Sequence, residues 1–178
     1  DLETNSLDYM EAQIVGFVFL LGKQSYYLPV AHDYIDAPAQ LSRQTTLAAL
    51  KPVLDNAEIG KIGQNLKYEI HVLANVDIDL NGIVDDTMVK SYCLNSVATR
   101  HNMDDLSEFY LGHKTIHFSD VAGSGKKQLS FNEVSLDKAM PYACEDVIVT
   151  HELNKVLEEK IGKFPKLQTL YQTLELPL

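Results

Sequence analysis

Asp1 and Glu3 stand two residues apart, a spacing that on an extended strand sends both carboxylates from one face. Two such groups can clasp one cation. Tyr142 and Asp146 are four apart, so on a helix the phenol and the carboxylate lie one turn from each other on a shared face. Each pair alone is a weak signal, and the bland reading of the first is an exposed acidic strand end. His113 and His117, also four apart, are a candidate zinc pair. Thr115-Ile116 between them read as extended, however, and no cysteine or third histidine completes a set. Cys144 lies beside Glu145 and Asp146, whose charges disfavour a thiolate, so it reads as a small buried hydrophobe. Gly123-Ser124-Gly125-Lys126 lacks the spacing and the strand-to-helix setting of a phosphate-binding loop. Lys126 and Lys127 read either as DNA contacts or as a solvated loop.

The elements that must position these groups follow from hydrophobic period. Gln13–Leu21 and Ser25–His32 are β-branched and aromatic, separated by Gly22-Lys23-Gln24, which predicts two adjacent antiparallel strands. Leucines 41, 47, 50 and 54 recur at near-helical spacing with Ser42 available as a cap. A short buried strand over Gly60–Gln64 then feeds a helix through Leu66, Ile70, Leu73 and Ala74. The pattern repeats with Gly82–Val84 followed by a helix over Thr87–Leu94, and again with a helix over Met103–Leu111 capped by Asn102. His113–Gln128 reads as an irregular, basic loop. Ser135 is expected to cap a long helix reaching Lys160, in which Pro141 either kinks the interior or sits near the first regular turn. The order predicts a mixed α/β fold.

The chain has 178 residues and is 46% hydrophobic, enough for one substantial core. The apolar run Ile14–Leu21 gives out at Gly22, short of the roughly 20 residues that span a bilayer. Two cysteines and no basic, apolar leader suit a reducing cytoplasm. With 15 basic and 25 acidic residues the net charge is -10, the wrong sign for gripping a phosphate backbone unaided. Either the partner is not nucleic acid, or the acidity is partly a metal site and the basic surface lies on another domain. The absence of an initiator Met favours the second reading, that of a segment of a longer protein.

Several blocks carry a closer likeness: Gly63-Gln64-Asn65-Leu66-Lys67-Tyr68-Glu69, Tyr142-Ala143-Cys144-Glu145-Asp146, Pro29-Val30-Ala31-His32-Asp33-Tyr34, Asp86-Thr87-Met88, Leu94-Asn95-Ser96-Val97-Ala98 and His113-Lys114-Thr115-Ile116. In this order they resemble the 3'-5' proofreading exonuclease domain of bacterial DNA polymerase I, in the tyrosine-containing branch of the DEDD exonuclease superfamily. The resemblance covers essentially the whole chain. It implies an RNase H-like fold, with a mixed central sheet flanked by helices and the site at the sheet edge. It further implies a catalytic set of Asp1, Glu3, Glu69, Tyr142 and Asp146, in which the four carboxylates hold Mg²⁺ or Mn²⁺, two ions in all. In that scheme Asp1 bridges both ions, Glu3 and Asp146 hold the first, Glu69 serves the second, and Tyr142 orients the attacking water. Leu7, Gln64, Asn65, Arg100 and Phe118 fall where the family grips the last nucleotides of a single-stranded DNA 3' end. Residues 1–160 would form the exonuclease domain and 161–178 a connector to a covalently linked polymerase, in a bacterial cytoplasm.

The family's second motif normally ends in aspartate, whereas Glu69 is one methylene longer. Metal sites tolerate ligand displacements on the order of 0.5 Å, so the expectation is a weakened second ion and a reduced rate. The competing reading is a catalytically silent scaffold within the polymerase. A related enzyme that trims RNA would use the same phosphate chemistry, but the polymerase-specific blocks count against it.

Overall fold

The computed structural model describes residues 1–178, with every peptide bond trans. Strand β1 (Leu2–Thr4) pairs antiparallel with β2 (Ile14–Leu21), which pairs antiparallel with β3 (Gln24–Pro29). The β2–β3 hairpin closes through Gly22-Lys23, with Leu21 opposite Gln24 and Gly22 at φ 66°. A left-handed residue of this kind is what a tight two-residue turn requires. Opposite Glu3 on β2 stands Gly16, and any Cβ there would fall 2.3 Å from the Tyr27 ring. The missing side chain lets that ring lie across the strand behind Glu3.

Helix α1 (Arg43–Leu54) starts where Ser42 Oγ accepts the Thr45 N–H. Next come β4 (Lys61–Gly63), α2 (Leu66–Ala74), β5 (Ile83–Asp86) and α3 (Thr87–Leu94), with β4 and β5 paired in parallel. The mixed α/β architecture expected from the sequence is therefore present. Its strands are divided, however, between the antiparallel β1-β2-β3 sheet and the parallel β4-β5 pair. An apolar groove of about 270 Å³ runs between the two, lined by Val18, Leu20, Ile62, Leu66 and Val147 and reaching Asp1 and Glu69.

Helix α4 (Met103–Leu106) is capped by Asn102, whose Oδ1 accepts the Asp105 N–H at 2.8 Å, and passes into a π-turn over Ser107–Leu111. The segment expected to be wholly irregular contains a short helix, α5 (Phe118–Ala122), started by the His117 N–H donating to Asp120 Oδ2. Helix α6 (Leu136–Ile161) runs unbroken through Pro141 for 26 residues. Pro141 is thus a second-turn residue and not the helix start, and Ser135 holds the cap position without a side-chain bond. The chain ends in α7 (Pro165–Leu170) and a π-turn over Tyr171–Glu175, both packed on α3. No helix is long and apolar enough to cross a membrane.

The core explains this arrangement. Ile14 and Phe17 on β2 are fully buried against Val72, Leu73 and Ile78, which fixes α2 beneath β1 and β2. Val18 packs on Ala143 and Val147, which fixes the middle of α6 against the same strand. Burying each such side chain stabilises by about 1.5–3 kcal/mol. The two helices that carry acidic motif residues are thereby clamped to the strand beside β1.

Candidate metal-dependent nuclease site

Asp1 continues the β1 ladder. Its carbonyl accepts the Val18 N–H at 2.9 Å, and its α-amino group donates to Val18 O at 3.0 Å. Glu3, paired with Gly16, leaves the same face and is buried. From α6, Asp146 arrives so that carboxylate oxygens of Asp1, Glu3 and Asp146 lie within 4.8 Å of one another. Glu69, one turn into α2, stands outside this trio and lines the same groove as Asp1. Tyr142 lies one turn before Asp146, in an aromatic cluster with Phe118 and Phe131 at centroid distances of 6.2 and 5.9 Å.

Burying acids here is costly, and the proton affinities record it. Glu69 is pushed up to about 7, mainly by burial and then by Asp86. Asp146 is likewise raised to about 7 by burial, with Asp104 and Glu145 adding to it. Glu3 is held well above the usual carboxylate range by burial and then by Asp146. Burial and Asp146 also push the Tyr142 phenol up, so it is a neutral hydroxyl at physiological pH.

A divalent cation suits this donor set. Glu3 Oε1 and Glu69 Oε2 are buried side-chain oxygens with no hydrogen-bond partner, an expensive state unless something cationic satisfies them. All four acids offer hard oxygen ligands, which suit Mg²⁺ or Mn²⁺.

The substrate residues inferred from the sequence occupy different settings. Leu7 is 94% exposed on the loop after β1, and the Arg100 side chain, 86% exposed, pairs with Asp105 at 3.1 Å. Phe118 opens α5 beside Tyr142. Asn65 sits at the start of α2 with φ 62°, and its side chain makes no capping bond. Gln64 is engaged at both ends, its amide donating to His101 O at 3.0 Å and its oxygen accepting from Thr87 Oγ1.

His113 and His117 do not converge as a metal pair. His113 Nε2 meets Glu145 Oε1 at 2.9 Å, and His117 Nδ1 meets Asp104 Oδ2 at 2.8 Å. Together with the Ile116 N–H, which donates to Glu145 Oε2 at 2.6 Å, they strap the segment before Phe118 onto α6 and α4. Cys144 is half-buried and not enclosed as expected. Asp86 and Tyr171 were not singled out by the sequence, yet both lie within one bonded group at the start of α2. The available signal for Asp86 is an acid placed between a strand and the next helix, where a cap belongs.

A family model described as 3'-5' exonuclease, of the DNA polymerase A type, matches residues 1–162. The chain belongs to this 3'-5' exonuclease family. DNA polymerase I of Pseudomonas aeruginosa is 46% identical across the full chain, and the chain spans about one fifth of that relative's length. Among solved structures, the POL domain of Pol1 from M. smegmatis in complex with DNA primer-template and dNTP superimposes with TM-score 0.70 at 18% identity, covering 93% of this chain and 24% of that one. Brucella melitensis NrnC with bound Mg²⁺ superimposes with TM-score 0.61 at 20% identity, covering 99% of this chain and 80% of that one. These likenesses show the RNase H-like fold. Exonucleases of the DEDD type generally use divalent metals, in keeping with the donor set here.

Proposed function

We propose that this chain is the proofreading module of a DNA polymerase I, releasing mononucleotides from single-stranded or frayed DNA 3' ends by metal-assisted hydrolysis. The observation that carries this reading is the convergence of Asp1, Glu3 and Asp146, with buried oxygens of Glu3 and Glu69 left unpartnered. Mg²⁺ or Mn²⁺, bound as a pair, supplies charge stabilisation at the attacking and leaving oxygens of an in-line displacement. Asp1, Glu3 and Asp146 would hold one ion, and Asp1 with Glu69 would hold the other. The neutral Tyr142 hydroxyl orients the attacking water by hydrogen bonding.

Leu7 and Phe118 meet bases through apolar and stacking contact, which tolerates any sequence and favours an unpaired strand. Arg100 exchanges Asp105 for a phosphate, and the uncommitted Asn65 amide contacts the terminal nucleotide. Gln64 must release Thr87 or His101 to do the same. Residues 1–160 form the nuclease module, while 161–178 lead on to a linked polymerase and pack on the module as they go. Tethering delivers the primer end at high effective concentration, so a domain with net charge -10 need not grip DNA tightly by itself. Replication and repair in a bacterial cytoplasm are the corresponding setting.

The test is a 5'-labelled single-stranded oligonucleotide incubated with the protein and Mg²⁺. Stepwise shortening from the 3' end is expected, abolished by a chelator, restored by Mg²⁺ or Mn²⁺ and lost in Glu3→Gln. No shortening with either metal would identify a silent scaffold, and chelator-resistant shortening would exclude the metal site.

A further inference from the structure

Asp86, the last residue of β5, is 4% exposed, and its carboxylate serves two helices at once. Oδ2 accepts the Leu66 N–H at 2.7 Å. Oδ1 accepts the N–H groups of Asn65 at 3.2 Å, Met88 at 2.9 Å and Val89 at 3.1 Å. Asn65 occupies the cap position of α2 but leaves it uncapped, so the cap is supplied from the neighbouring strand. Parallel pairing of Gly63 with Asp86 and the Thr87 hydroxyl on Gly63 O hold the two starts side by side. The backbone of Asp86 is itself pinned, its N–H donating to Tyr171 Oη at 2.9 Å. Glu69 follows one turn later on α2, so the first turn of this helix sets where its carboxylate reaches the acidic cluster.

We infer that Asp86 is a positioning residue for the nuclease site: by capping α2 from β5 it places the Glu69 carboxylate and leaves the Asn65 side chain free for substrate. The inference rests on the exonuclease reading given above. A carboxylate is required for a stereochemical reason. It is an acceptor at both oxygens, with about four lone-pair sites, and here it meets four donors. An asparagine offers one oxygen and turns an NH₂ group against backbone N–H groups, so one of the two helices loses its cap. Bonds from N–H to a carboxylate at a helix start are about twice as strong as neutral ones and gain from the helix dipole. Asp86 touches neither substrate nor the acidic trio and acts through Glu69.

The experiment compares the whole chain with Asp86→Asn, Glu69→Gln and the double variant. Its readouts are Mn²⁺ binding by calorimetry, kcat and KM on a single-stranded oligonucleotide with Mg²⁺, and the melting curve. Groups that orient a metal ligand typically change metal affinity or activity about 10–100-fold. Asp86→Asn is expected to weaken Mn²⁺ binding and lower kcat within that range while KM moves about threefold or less. In the Glu69→Gln background the same change should cost little more, because the two act as one unit. A variant that melts cooperatively yet keeps wild-type Mn²⁺ affinity and kcat overturns the inference, as does full additivity with Glu69→Gln. Should Asp86→Asn not fold, Tyr171→Phe loosens the Asp86 backbone and leaves its carboxylate in place. A smaller loss of Mn²⁺ affinity then supports the inference, and an unchanged affinity overturns it. A wild-type chain that neither binds Mn²⁺ nor shortens DNA sinks the exonuclease reading and this inference together, whereas an active wild type with an unaffected Asp86→Asn sinks only the latter.

Discussion

The Tyr68 hydroxyl lies 2.6 Å from Thr4 Oγ1, so the helix that carries Glu69 is bonded directly to the strand that carries Glu3. Both hydroxyls also lie within reach of Ser6 O, at 2.5 Å from Tyr68 Oη and 3.0 Å from Thr4 Oγ1, and with one proton each, one hydroxyl donates to Ser6 O while the other donates to its partner hydroxyl. This small network fixes the end of β1 and the start of the loop bearing Leu7. It is the only polar tie between the first motif and the neighbour of the second.

Tyr68→Phe keeps the ring in the Val72–Leu73 core and deletes the tie. The loss should be about 1 kcal/mol, the usual net value of one hydrogen bond. Urea unfolding would show it as a lower midpoint with an unchanged slope. The nuclease rate should fall further than the stability loss alone explains, because Glu3 and Glu69 then move independently. A rate equal to wild type would mean that packing alone sets their separation.

The length of Glu69 gives a second prediction. With α2 in place, the Glu69 carboxylate projects about 1 Å beyond where the aspartate usual in the family would end, more than the roughly 0.5 Å that metal sites tolerate. Glu69→Asp should degrade a single-stranded 3' end faster than the native chain and show a second, tighter Mn²⁺ event by calorimetry. A slower enzyme would mean that α2 has already shifted to suit the longer side chain.

How far such particulars could be read beforehand depends on the range of the interactions that make them. The β2–β3 hairpin, α3, α4 and nearly the full length of α6 follow from local period and from Gly22 and Asn102 at element ends. Spacing put Asp1 with Glu3, and Tyr142 with Asp146, on shared faces, but only the family resemblance joined the two pairs to each other and to Glu69. The bonds of Asp86 to α2 and of Tyr171 to Asp86 span 20 and 85 residues, and no periodicity encodes them. Helix α5 was hidden because five residues carry too little period to detect, and its Asp120 cap partner looks like any loop acid. Ser135 shows the converse error, a favourable residue at a helix start whose hydroxyl does not cap.

The pH dependence of stability without metal can be signed from the acids. Glu69 and Asp146 rise from ordinary values of 4.5 and 3.8 to about 7, and Glu3 shifts the same way. The folded state therefore binds more protons than the unfolded one across that window, so stability falls as pH rises from about 4 to about 7. In chelator, the melting temperature should be higher at pH 5 than at pH 8, by on the order of 5 °C for a chain of this size. Mg²⁺ should stabilise strongly at pH 8 and weakly at pH 5, where protons compete for the ligands. Glu69→Gln should flatten the profile, and an unchanged slope would remove Glu69 from the coupled cluster.

Lys90 supplies the last test, away from the chemistry. Its side chain is fully buried, with Nζ at 2.5 Å from Asp85 Oδ1, 2.6 Å from Glu158 Oε2 and 3.0 Å from Asn154 Oδ1, and 5.4 Å from the centre of the Tyr171 ring. This one cation joins β5, α3, α6 and the C-terminal turn. Replacing it with methionine preserves volume but strands Asp85, which is only 17% exposed, beside the Tyr171 hydroxyl. Breaking a buried pair from one side costs about 3–5 kcal/mol, whereas removing both partners is often nearly neutral. Lys90→Met should therefore lower the melting temperature by on the order of 10 °C. Adding Asp85→Asn should recover most of the loss, while adding a Glu158→Gln change, at a site half open to water, should recover little. Equal recovery by the two would show that the network is screened throughout and that Tyr171 docks by packing alone.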